Sequence, residues 1–219
     1  MATIGLRDLF YAKMSEDANG VETYGKPVRM AKAIQAQMST QVAEAKLFAD
    51  DGVDESVKEF VSGTLTLNVN RLDPEHRAVL LGQSQAANGA VIASGDDDPP
   101  YVAIGFRATT TGGKSKYIWL YKVKFAIPDE NYQTKGDSIA FQTPSIVGTY
   151  IKRNDGKWKI DLVALATDSA AAGWFNEVQE GELIKSSVVG ASLNIGGEGV
   201  EGGVLVDGEE LPLNAKGGA

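Results

Sequence analysis

The fold turns on PVRMAKAIQAQMSTQVAEAKLFADD, residues 27–51. Ala, Gln, Met and Lys all favour helix, and Met30, Ile34, Met38 and Val42 recur every fourth position, the spacing of a helical stripe. The same four residues share parity, so they would line one face of an extended chain equally well. On residue physics alone the stretch leans helical.

The flanking segments are less ambiguous. Downstream, VSGTLTLNVNRL (61–72) puts Val61, Leu65, Leu67 and Val69 on one parity and Thr64, Thr66, Asn68 and Asn70 on the other, the pattern of a strand with one buried and one wet face. LDPEHRAVLLG follows, with Asp73 placed as N-cap, Pro74 at the first helical position, Glu75 in the first turn and Gly82 as the stop. Upstream, residues 1–14 alternate weakly through Ile4, Leu6 and Phe10, and SEDANG ends that strand with an Asn19-Gly20 turn. Further on, Tyr101–Thr110 alternates with Val102, Ile104 and Phe106 inward, TTTGGKSK turns, and YIWLYKVKFAI returns with Tyr117, Trp119, Tyr121, Val123, Phe125 and Ile127 on one face. A β segment is expected over 137–152, broken near Pro144; RNDGK then leads into the strand WKIDLVAL. SAAAGWFNEVQEG, from Ser169 to Gly181, has Trp174 and Val178 one turn apart and reads as a short second helix.

Composition removes much chemistry. The chain of 219 residues has no cysteine and a single histidine, His76. Thiolate metal sites, disulfides and any zinc site needing two imidazoles are therefore out of reach. A Ser-His-Asp triad would have to use His76, which sits in the first turn of a helix between Glu75 and Arg77, where a plain surface role is expected. TGGKS (111–115) ends like a phosphate-binding loop, but the first glycine of that pattern would fall on Ala108, so a hairpin tip is expected. GDDDPP and DDGVDE lack the alternating oxygen ligands and closing glutamate of a calcium loop. No metal, cofactor or catalytic residue is expected. No apolar run approaches the roughly 20 residues that span a bilayer, and the start has no secretory pattern.

The net charge is −8, and from Asn176 to Ala219 eight acids face two bases, so the first 175 residues carry only −2. An acidic balance disfavours tight binding to phosphate backbones. Residues 1–180 are expected to form one β domain and 181–219 a Gly-rich acidic extension, as small hairpins or an arm.

FADDGVDESVKEF, residues 48–60, sets Asp50, Asp51, Asp54, Glu55, Lys58 and Glu59 between Phe48 and Phe60. Taken with GLRDLFYAKM, the 27–51 stretch, GTLTLNVNRLDPEHRAVLLG, KYIWLYKVKF, IAFQTPSIVGTYIKRNDGKWK and AGWFNEV, in that order, the chain resembles the major tail proteins of long-tailed siphophages of Gram-positive bacteria. The likeness covers about residues 1–180; LFADDG, the strand followed by LDPE and LLG, and the late WF carry most of it. It implies a mainly β protein, a β-sandwich or barrel with one or two short flanking helices and a long inter-strand loop near residues 38–62, and it makes 27–49 extended. It also implies a structural virion protein of the tail, made in the host cytoplasm. Hexameric rings would stack into a tube through which DNA passes, meeting the tape measure protein and the tail terminator and distal tail proteins, with no membrane insertion. Phe48 and Phe60 would then anchor the stems of a ring-stacking loop carrying Asp50, Asp51, Asp54 and Glu55. The row Thr64, Thr66, Asn68 and Asn70 is a candidate lumen face, since a wall rich in Lys and Arg would hold passing phosphates. The alternative is a carbohydrate-binding β-sandwich presenting Tyr117, Trp119 and Tyr121; a hydrolase built on His76 or an acid pair is disfavoured.

Overall fold

The computed structural model describes residues 2–134 and 143–181; the expected extension from 182 onward and the 137–142 part of a β segment lie outside these residues. The elements run β1 (Thr3–Glu16), β2 (Glu22–Tyr24), β3 (Val28–Ala31), β4 (Ala33–Ala49), β5 (Gly52–Val69), α1 (Pro74–Leu81), β6 (Ser84–Gln85), β7 (Val91–Ile92), β8 (Val102–Thr110), β9 (Lys114–Phe125), β10 (Ser145–Ile151) and β11 (Lys159–Leu165). The protein is mainly β, with one short helix among the described residues. The 27–51 stretch is extended: β4 pairs with β5 along its length, and that pairing outweighs the helix propensity of its Ala, Gln and Lys residues.

All pairings are antiparallel: the main sheet runs β2-β1-β8-β9-β10-β5-β4 with β11 beside β9 off that path, and β6 pairs with β7 in a separate two-stranded sheet. β3 pairs with β1, and Lys32 alone separates it from β4, which pairs with β5. Asn70 clamps this junction, donating from its backbone N to Lys32 O (3.0 Å) while its side-chain oxygen accepts from Lys32 N (3.1 Å). The continuous β3–β4 run therefore joins the first strand to β5 and closes the sheet into a barrel, which hides edges that would otherwise invite aggregation. Leu9, Tyr11, Met30, Leu65, Leu67, Val69, Val102, Ile104, Phe106, Leu120, Val123 and Ile146 fill the interior, and Leu80 and Leu81 of α1 join them. The helix starts with Pro74 and ends at Gly82 in the left-handed conformation (φ 68°). Asp73 takes the N-cap backbone position without a side-chain cap, and instead pairs with Arg71 at 3.1 Å.

Bulges decide which parity faces inward. Asp8, at φ 56°, interrupts the β1–β8 register between Arg7 and Phe10, so Leu6 and Leu9 face the interior while Phe10 faces out. In β9 the register slips between Leu120 and Val123. Tyr117, Trp119 and Tyr121 therefore lie on the outer wall whereas Val123 and Phe125 lie within, and the expected single aromatic face is split in two. Ile127, past the strand end, is exposed. Ile34 is the extra residue between Ala33 and Gln35, and Val61 the extra residue opposite the Gln41–Val42 step. Both are exposed, which removes Val61 from the buried row and Ile34 from the stripe with buried Met30.

The outer aromatic wall is covered by residues 166–181. This segment is a chain of turns, not the expected helix: Gly173 at φ 91° breaks any helical run. It still packs Ala171, Trp174 and Val178 onto Tyr117, Trp119 and Tyr121, with Trp119 Nε1 donating to Trp174 O (3.1 Å) and Tyr121 OH to Gln179 O (2.8 Å).

Candidate functional site

The long inter-strand loop expected near 38–62 is instead a two-stranded arm. Pairing of β5 with β10 stops at Gly63, while pairing of β4 with β5 continues to Ala49 and Gly52. At about 3.3 Å per residue, Val42–Ala49 extends about 25 Å, and among the described residues no third strand lies beside it. Both of its faces meet solvent: Val42 is 53% exposed, Phe48 67%, and Leu47, Val53 and Val57 are similar. Isolated two-stranded ribbons are marginal in water, and apolar side chains on both faces add a further liability.

The two phenylalanines have different roles. Phe60, opposite Val42, stacks on Trp158 with centroids 4.7 Å apart and planes 5° from parallel, and lies 6.1 Å from Tyr150. Tyr150 crosses the bare backbone of Gly63, and Thr40 Oγ1 is hydrogen-bonded to its hydroxyl at 2.8 Å. This ring stack roots the arm in the barrel. Phe48, opposite Val53, has no ring partner among the described residues and belongs to the tip.

The tip turns on Asp50 (φ 46°) and Asp51 (φ 63°), two consecutive left-handed residues as a type I′ hairpin requires. Asn-Gly is the common choice there, and Asp tolerates it at a cost. Asp54 is the bulged residue between Val53 and Glu55. None of Asp50, Asp51, Asp54 and Glu55 forms an ion pair among the described residues, although the shaft below them is cross-linked by Glu44 with Lys46 (3.1 Å) and Lys58 (3.8 Å). At the root Lys152 holds Glu59 at 2.7 Å, and that hydrogen bond keeps the Glu59 carboxyl below its ordinary range.

The polar row is placed on the outside of the barrel. Thr64, Thr66 and Asn68 are half-buried, flanked by Ser39, Gln37 and Gln35 of β4 and by Thr149, Val147 and Ser145 of β10. Asn68 Nδ2 donates to Gln35 Oε1 (3.0 Å). Asn70 is not part of this face; its side chain is used at the β3–β4 junction. The neighbours from β4 and β10 were not singled out in the sequence, where only register could have revealed them.

One buried charge cluster escaped the sequence reading. Glu22, 4% exposed, meets Lys122 Nζ at 2.5 Å and Arg153 Nε at 3.3 Å, an ion contact whose N–H is not aimed at the oxygen. Arg153 also reaches Glu180 at 3.1 Å and lies between the Tyr24 and Tyr121 rings, 5.4 and 5.2 Å from their centroids. Burial works against its charge, but Tyr24, Glu180 and Asp155 outweigh that and hold it above the ordinary arginine value. Burial pushes the Tyr121 hydroxyl up to about 12. The cluster ties the β1–β2 turn and the 179–181 segment to β9, a structural clasp.

His76 Nδ1 lies 3.2 Å from Tyr11 OH. The Thr111–Gly113 segment is the β8–β9 hairpin tip. Tyr117, Trp119 and Tyr121 are buried under the 166–181 segment and offer no open sugar platform. Among the described residues, no three His, Asp or Glu side chains converge as a metal set, and no helix is long and apolar enough to cross a membrane. Compared with known proteins, the chain matches no family model and no curated protein.

Proposed function

We propose that this chain is a structural virion protein, a subunit of hexameric rings that stack into the tail tube of a long-tailed phage and let DNA pass into the host. The observation that carries this reading is the β4–β5 arm, a ribbon with exposed apolar side chains on both faces and a tip whose carboxylates form no ion pair, and it leaves the barrel with no third strand beside it among the described residues. Such a surface gains stability when another copy covers it, and repetition around a closed axis produces rings. Two aspartates in a strained turn, where Asn-Gly would be easier, are consistent with residues kept for their charge. The uncharged face built by β4, β5 and β10 suits a wall past which phosphates move without being held. On this reading the partners are further copies of the chain, the tape measure protein and the terminator and distal tail proteins. It has no catalytic role. The carbohydrate-binding alternative loses its platform to burial.

Electron microscopy of the concentrated protein, alone and with its initiating partners, tests the reading. Rings or tubes are expected from the parent, and shorter or absent tubes when Asp50 and Asp51 are both changed to Lys. A parent that remains an isolated 23.2 kDa particle under all of these conditions overturns the function. Unchanged tube length in the double variant overturns the role of the tip.

A further inference from the structure

Charges on the barrel surface are largely matched, as in Arg77 with Glu130 (2.8 Å) and Lys116 with Asp161 (3.0 Å). One face is not. Arg7 and Arg107 are direct cross-strand partners on β1 and β8, and like charges in that position repel. Arg29 approaches from β3, where it lies opposite Phe10. Among the described residues Asp8 is the one carboxylate paired here, 2.5 Å from Arg107 and 3.4 Å from Arg29. Arg7 is exposed and has no ion pair among the described residues. Two guanidiniums thus share one carboxylate, and the third has none among the described residues. On the same strand Ile4, bulged out between Thr3 and Gly5, is 67% exposed.

The arm tip is the chemical complement: four carboxylates with no ion pair among the described residues, beside exposed Phe48 and Val53. Resting on the ring-and-tube reading, we infer that the Arg7–Arg29–Arg107 face is the seat for the acidic arm tip of a second copy of this chain. Guanidinium forks take carboxylates in paired hydrogen bonds, which here also relieve the Arg7–Arg107 repulsion. Ile4 meets the apolar side of the tip. Seat and tip are different surfaces, so the contact is heterologous and propagates from copy to copy.

The chain has no cysteine, so Val53→Cys and Ile4→Cys each introduce a single thiol and leave every charge in place. Mixing the two full-length variants with a short bis-maleimide is expected to give a dimer-mass adduct that neither gives alone. Adding Arg7→Glu to the Ile4→Cys chain lowers its yield about tenfold, the loss of one charge-assisted contact. Asp50→Lys in the Val53→Cys chain then restores it. Rings or tubes without the adduct overturn the seat and leave the ring-and-tube reading standing. Neither adduct nor any assembly overturns both. An adduct indifferent to Arg7→Glu overturns the part played by the arginines.

Discussion

Substituting Phe60 and Phe48 separately by Ala distinguishes the root of the arm from its tip. Phe60 is half-buried and stacked on Trp158 at 4.7 Å. A fully buried Phe→Ala costs about 3–5 kcal/mol, so half burial accounts for about 2 kcal/mol. The contacts with Trp158 and Tyr150 bring the total to about 3 kcal/mol at ~0.5–1.5 kcal/mol per ring pair. For a chain of this length that corresponds to a fall in Tm of about 6–12 °C. Phe48 is 67% exposed with no ring neighbour, and its removal is expected within about 0.5 kcal/mol of neutral in the isolated chain. The assay is a thermal melt followed by circular dichroism over a concentration series, so that stabilisation by assembly separates from stability of the fold, with sedimentation velocity on the same samples. Phe60→Ala melts lower at every concentration; Phe48→Ala melts with the parent when dilute and loses assembly when concentrated. Equal shifts at low concentration, or a larger one for Phe48→Ala, refute the assignment of root and tip.

Glu22→Gln leaves Lys122 and Arg153 buried beside a neutral amide, and removing one partner of such a set costs about 3 kcal/mol. A lower urea midpoint at unchanged m is expected, partly recovered by adding Lys122→Met; a loss under about 1 kcal/mol contradicts the clasp. Acid sensitivity follows from depressed carboxyls. Backbone hydrogen bonds from Val21 and Asn19 hold Asp17 below its ordinary range, and at Asp161 burial pushes upward but Lys159 and Lys116 prevail and lower it. A group lowered in the folded state stabilises fully above the unfolded value and loses that contribution as pH falls through the folded one. Tm should be level above about pH 5 and fall below about pH 4, with a shallower fall in Asp17→Asn and Asp161→Asn; a rise on acidification, or the parent's slope retained in both variants, rejects this.

Local signals alone placed the punctuation of this protein. Pro74 and Gly82 bound the helix because one lacks an N–H that the first turn does not need and the other accepts the left-handed backbone. Gly112 and Gly113 mark the β8–β9 turn for the same conformational reason. Alternation identified the inward residues of β8 and the Leu65–Val69 part of β5, since strand side chains alternate whatever the partner. Tertiary structure decided the rest. Residues 33–49 have the propensity of a helix and become a strand because β5 supplies their hydrogen-bond partners; only the family resemblance had suggested this. The bulges at Asp8, Ile34, Val61 and Tyr121–Lys122 exchange inside for outside, and each exists only as a register between two strands. Likewise the clasp around Glu22 and the three-arginine face gather residues distant in the chain. Spacing along one strand holds no information about which strand lies beside it, so these arrangements arise only when the barrel closes.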